Sequence, residues 1–168
     1  MAKALSCGWK GRATFHWPVR GLSEDDYFSI ITGVSGIGEF QVEPEGASNH
    51  PTVHKTELET SSRCPACKSW SIRPDGLITL RGDVLAWNAY GGARVGTKVT
   101  LVDNCPSNKT DCQWDFTPEG FIVSRTNPKL AVRANMRPHF YDQAPLVLVD
   151  NCTATWIGCT WRRVGSPR

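Results

Sequence analysis

The sequence predicts an all-β domain built from three copies of one four-stranded unit, and three observations predict it. The first is composition: 15 Gly and 11 Pro in 168 residues, with seven Trp and only two Met, favour turns and short strands over helices. The second is an internal repeat carrying cysteines and tryptophans at matching places. The third is period: no dozen residues sustain a helical pattern, whereas short apolar runs recur between turn signals. The length suits one cored domain. Hydrophobic residues at 40% and charged residues at 21% exclude a disordered chain or a coiled coil. A formal charge of +3, scattered along the chain, argues against nucleic acid as a partner. No run reaches the length of a membrane span, and the stretch from Met1 to Trp9 lacks the apolar core of a signal peptide.

The repeat fixes the elements. Leu101-Val102-Asp103-Asn104-Cys105 recurs letter for letter as Leu148-Val149-Asp150-Asn151-Cys152, and the same displacement carries Cys112 onto Cys159 and Trp114 onto Trp161. A weaker copy upstream places Cys64 and Trp70 at the corresponding points. Each unit opens on a β-type run, at residues 27–31, 76–80 and 120–124. Pro74-Asp75-Gly76 and Pro118-Glu119-Gly120 supply turn chemistry ahead of the second and third runs. Second strands are expected at 40–42, 84–87 and 130–133, and third strands at 56–58, 99–102 and 146–149. Each unit closes on the strand carrying Trp70, Trp114 or Trp161. The period is roughly 45 residues, near that of a propeller blade, but three blades fall below the usual propeller range. One four-stranded unit cannot cover its own apolar face, so three must share a core. Closed threefold packing gives a β-trefoil over residues 27–168, with repeats at 27–74, 75–118 and 119–164. Residues 1–26 read as an extension packed on the barrel by Trp9, Phe15 and Trp17.

Six of the seven cysteines form close pairs. Cys105 with Cys112, and Cys152 with Cys159, fall in equivalent loops between third and fourth strands and read as two loop-stapling disulfides. Closing so short a loop contributes about 2 kcal/mol on chain-entropy grounds. Cys64-Pro65-Ala66-Cys67 occupies the matching loop of the first unit and reads as a third structural pair. A redox dithiol or half a zinc site are the alternatives, but the chain offers neither a βαβ setting nor a second pair. Cys7 has no evident partner. Paired cysteines favour secretion into an oxidising compartment, with a cytoplasmic protein holding reduced thiols as the alternative. Asn108-Lys109-Thr110 and Asn151-Cys152-Thr153 are formal N-glycosylation acceptors, in keeping with surface loops.

Gly96-Thr97-Lys98-Val99-Thr100-Leu101, followed by Asp103, Cys105 and Gln113-Trp114, resembles the repeat signature of ricin-type β-trefoil lectin domains. The Gln-x-Trp of that family is blurred here to Lys68-Ser69-Trp70, Cys112-Gln113-Trp114 and Cys159-Thr160-Trp161. The resemblance covers about residues 27–164 and implies a shallow sugar pocket on each unit. In such a pocket an Asp near the second strand and a polar group before the closing strand bind hydroxyls, while an aromatic stacks on the sugar ring. The Asp position falls on Gln41, Ala86 and Ala131. The stacking position falls on Ser61, Val102 and Val149. The polar position falls on Asp111 in the second unit and Gly158 in the third. The galactose-type pocket is therefore degenerate in all three units, and galactose specificity is not inherited.

Substitute ligand-binding groups are available on the strand and loop edges. In the second unit they are Asn88, Tyr90, Arg94, Asp103, Asn104 and Asp111. In the third they are Arg133, Asn135, His139, Tyr141, Asp150, Asn151 and Trp156. Each has a plain structural reading beside it: Asp103 and Asp150 suit loop amides, Trp87 suits the core, and the 133–141 cluster suits a solvated hairpin. Trp156, in a short loop between two cysteines, is the better candidate for an exposed aromatic.

Four scattered His lack metal-ligand spacing, and no Ser lies in a nucleophile-elbow context. The Gly33–Gly38 run has the wrong spacing for a dinucleotide loop. No catalytic residue, cofactor or metal is expected, and the chain does not read as an enzyme. The sequence points to a lectin-like protein that binds glycans or glycoproteins non-covalently through loop pockets. A protein-binding trefoil such as a protease inhibitor is the alternative.

Overall fold

A computed structural model describes residues 28–44, 51–55, 70–80, 85–103, 105–106, 110–138 and 144–164. The expected extension at 1–26, the Cys64/Cys67 pair and Cys7 lie outside these residues, as do Asn104, His139 and Tyr141. Twelve strands are present among the described residues. The first unit contributes β1 (Ser29–Val34), β2 (Gly38–Pro44), β3 (Pro51–Lys55) and β4 (Trp70–Ile72). The second contributes β5 (Ile78–Leu80), β6 (Ala86–Ala89), β7 (Val99–Val102) and β8 (Trp114–Phe116). The third contributes β9 (Ile122–Ser124), β10 (Ala131–Ala134), β11 (Ala144–Val149) and β12 (Arg162–Val164).

Pairing follows threefold logic. The last strand of each unit pairs antiparallel with the first strand of the next: β4 with β5, β8 with β9, and β12 with β1. These six strands make the barrel. The second and third strands of each unit form a hairpin, β2–β3, β6–β7 and β10–β11. The hairpins meet one another, with β3 pairing β11 and Lys98 bridging Val147. Each closing tryptophan also ties its strand to the opening of its own unit: the backbone N–H groups of Trp70, Trp114 and Trp161 donate to the carbonyls of Phe28, Gly76 and Gly120. The β-trefoil expected from the repeat is the architecture found.

The core explains why those tryptophans recur. Trp70, Trp114 and Trp161 are buried, and each indole Nε1–H donates to one carbonyl of a second strand. The acceptors are Val42 (2.9 Å), Trp87 (3.1 Å) and Val132 (3.0 Å). A buried indole needs both an apolar surround and an acceptor, and this geometry supplies both three times. Trp87 replaces the Val of the other two units. It stacks edge-on against Trp70 at 5.4 Å and Trp114 at 6.2 Å between ring centroids. Burial alternates along β5, β9 and β11, as a two-residue strand period requires.

Turns enter as predicted. Gly76 N–H donates to Arg73 O at 2.9 Å and Gly120 N–H to Thr117 O at 3.0 Å, with both glycines at positive φ, 87° and 92°. The first unit departs from expectation in one respect. Its third strand is Pro51–Lys55, ahead of the 56–58 stretch, which lies outside the described residues. The reason is a shorter β2–β3 connection than in the other hairpins, so a fixed period places the strand too late.

Candidate functional site

The loops between third and fourth strands were expected to carry the pockets, and the two described ones behave differently. In the second unit Cys105 and Cys112 are joined, with Cα atoms 5.9 Å apart. A single 3-10 turn, Thr110–Cys112, leads into β8. Leu77, Ala86 and Cys112 form a small buried cluster separate from the main core, and Val102 and Cys105 pack against it. Ala86 and Val102 are the positions where a ricin-type pocket needs its Asp and its aromatic. That place is a satellite apolar core, not an opening. Asn88, 4% exposed, completes it by donating Nδ2–H to Cys112 Sγ at 3.2 Å. Its amide therefore serves the loop and is not presented to solvent.

The other groups of the second unit lie around this closed centre. Asp111 is half-buried and Asp103 exposed. Tyr90, 72% exposed, stands at the start of the β6–β7 turn, far more open than any sequence pattern announced. The turn itself is held by Arg94 Nη2–H to Gly91 O at 2.7 Å and Thr97 Oγ1–H to Gly92 O at 2.9 Å.

In the third unit Cys152 and Cys159 are joined, with Cα atoms 5.5 Å apart. Here the loop closes backbone to backbone. Ala134 N–H donates to Gly158 O at 2.9 Å. Gly158 has φ of 81°, and a Cβ there would sit 2.5 Å from Ala134 O. Only glycine fits both the conformation and the contact. This position, which had looked like a lost polar group, is a docking point that lets the loop lie flat on β10.

Trp156, expected as an exposed aromatic, is half-buried in that loop. Its backbone N–H donates to Thr153 O and its carbonyl accepts from Cys159 N–H, both at 3.2 Å. The half-buried Arg133 side chain lies over its indole, Cζ 4.0 Å from the ring centroid. Arg133 Nε–H donates to Ile157 O at 3.1 Å, and Nη2–H reaches Met136 O at 3.5 Å. Burial pulls the guanidinium pKa below its ordinary value. The structure thus brings together two candidates, Arg133 and Trp156, that the sequence places on separate elements. Asn135 is half-buried, its backbone N–H donating to Pro145 O at 2.8 Å, while Asp150 and Asn151 are exposed at the loop entrance. The contributions of the Ile157 and Met136 carbonyls were not legible in the sequence, since any residue type supplies them.

Among the described residues no group of three or more His, Cys, Asp or Glu is placed to hold a metal ion. No helix among them is long and apolar enough to cross a membrane.

No protein-family model matches the chain, and no curated protein matches it in sequence. Solved structures do match. The C-terminal half of an earthworm R-type lectin, solved with GalNAc, superposes with a TM-score of 0.58 at 10% identity, covering 82% of this chain and 98% of that one. The agglutinin of Abrus precatorius gives a TM-score of 0.60 at 16% identity, covering 86% of this chain and 51% of that one. The designed threefold-symmetric protein ThreeFoil gives 0.58 at 17% identity over 83% of this chain and 98% of its own. With twelve strands in threefold pairing, three equivalent buried tryptophans and these neighbours, the chain has the β-trefoil fold that the R-type lectin structures also have.

Proposed function

We propose that this protein is a lectin-like glycan binder whose working surface is the stapled loop of the third unit, with Trp156 as the aromatic that meets the sugar ring. The single observation that carries this reading is the Arg133–Trp156 stack on a loop closed by Cys152–Cys159. A disulfide and a backbone clamp hold the indole in place before any ligand arrives, which lowers the ordering cost of binding. Arg133 covers one face of the half-buried indole, leaving its remaining surface to meet the apolar side of a pyranose, and the exposed Asp150, Asn151 and Thr153 of the same loop offer hydroxyl partners. The second unit is not the primary site, since its family pocket is filled. Binding is non-covalent and no catalysis is assigned. The two closed disulfides support placement in an oxidising compartment outside the cytoplasm.

A glycan array probed with the wild-type chain and with Trp156→Ala tests the reading. The wild type is expected to bind at least one glycan class, and the variant to lose about tenfold in affinity, equivalent to ~1.4 kcal/mol. Absence of wild-type binding to every class at millimolar glycan would overturn it.

A protein partner is the second reading, favoured by one observation. Tyr90 and Val95, 72% and 60% exposed, share the tip of the β6–β7 hairpin, where a protein surface would bury them. A panel of serine and cysteine proteases assayed for inhibition tests this alternative.

A further inference from the structure

The charge at the third-unit site narrows the ligand. Among the described residues, arginines 73, 125 and 162 each have a carboxylate partner: Asp75, Asp115 and Glu39 respectively. Arg133 has none. A guanidinium offers five N–H donors in a rigid planar fork. Two of them reach the backbone carbonyls of Ile157 and Met136. The others have no protein partner among the described residues. The Trp156 indole covers one face of the group and fixes its plane. This is a half-buried cation, oriented by a ring and two carbonyls, with no carboxylate partner among the described residues.

The equivalent position in the second unit is Asn88, neutral, buried and committed to Cys112. The charge is therefore not a demand of the fold. A partly desolvated cation with free fork donors is poorly served by a neutral hydroxyl and well served by an oxyanion, whose hydrogen bonds to guanidinium are charge-assisted. The lowered pKa of Arg133 agrees with that desolvation, although the group stays charged at neutral pH.

We infer that the third-unit site takes an anionic saccharide, one bearing a carboxylate or a sulfate ester, with the oxyanion on the Arg133 fork and the sugar beside the stacked pair. This deepens the glycan-binding reading and rests on it.

Calorimetric titration of the full chain with sialyllactose, sulfated lactose and plain lactose tests the inference. At least one anionic sugar is expected to bind about tenfold more tightly than lactose, with a preference that shrinks as salt is added. Comparing the carboxylate and sulfate arms identifies which oxyanion the site accepts. Arg133→Gln is expected to abolish the preference while leaving the melting temperature nearly unchanged. Equal affinity for lactose and both anionic sugars overturns the inference and leaves the glycan-binding reading standing. So does a preference that survives Arg133→Gln. Failure of all three sugars to bind removes this inference, and silence across the whole array removes both.

Discussion

The second and third units share five consecutive residues, a disulfide at the same spacing and a tryptophan in the same core position, yet the surroundings of the two staples differ. In the second unit Cys112 joins Leu77 and Ala86 in a buried cluster, and Asn88 donates to its sulfur. In the third unit the loop lies flat on β10 through Gly158, with the half-buried Trp156 beneath Arg133. The staple fixes where each loop begins and ends. Cys112 and Cys159 are equally buried, so the difference lies in what meets them, Asn88 and an apolar cluster in one unit, the Arg133–Trp156 stack on the loop of the other. A repeat conserves its frame while its interior is free to specialise.

The sharpest way to break this contrast is at Gly158. Gly158→Ala places a methyl group 2.5 Å from Ala134 O at a φ that alanine rarely adopts. Strain and loss of the clamp are expected to cost about 3 kcal/mol, since each unfavourable φ alone costs ~1–3 kcal/mol. Asp111→Ala, at the aligned position of the second unit, is expected to change stability by less than ~0.5 kcal/mol because the side chain makes no clamp there. Urea melts of the two variants, side by side, measure the difference. Equal destabilisation would mean that the loops are not built differently.

Next in size are the staples. Removing either disulfide by paired Cys→Ala changes is expected to cost about 2–3 kcal/mol from the chain-entropy term, which is the same for both because the loops are equally long. The second-unit pair should cost more, since Cys112 also belongs to an apolar cluster and accepts from Asn88. The third-unit pair should cost less in stability but should weaken glycan binding, by releasing the loop that presents Trp156. Thermal melts and array signal on both double variants sort these outcomes. A larger stability loss from the third-unit pair would contradict the division of labour.

These contrasts were only partly legible in the sequence. The duplicated Leu-Val-Asp-Asn-Cys and the spacing of Trp114 and Trp161 disclosed the threefold fold, because a buried indole with a fixed acceptor tolerates little else. The loss of the family pocket was also readable, at Ala86, Val102 and Gly158. What fills it was not. Leu77 reaches the second-unit cluster from a strand edge outside the loop, and Arg133 reaches Trp156 from β10, contacts that exist only after the chain has closed on itself. The polar groups of the second unit looked alike on paper, but burial separates Asn88 from Tyr90, and burial is a property of packing. The third strand of the first unit was misplaced for a simpler reason, a short hairpin connection that breaks the period.

The smallest expected effects make the finest test, because they should cross over. Asn88 and Arg133 hold equivalent positions on β6 and β10 and differ in what they serve. Asn88→Ala removes a buried amide and its donation to Cys112 Sγ. Sulfur is a weak acceptor, so the stability loss is expected to be about 1 kcal/mol, with glycan binding unchanged. Arg133→Ala removes a half-buried cation held by two carbonyls and an indole. Losing its desolvation penalty offsets part of those contacts, so the stability loss is expected to stay below ~1 kcal/mol while glycan binding falls. A chemical-denaturation series and a binding titration on each variant place the two residues on separate axes. If Asn88→Ala weakened binding, or Arg133→Ala left it untouched, the second unit would have to be readmitted as a recognition surface and the third demoted to scaffold.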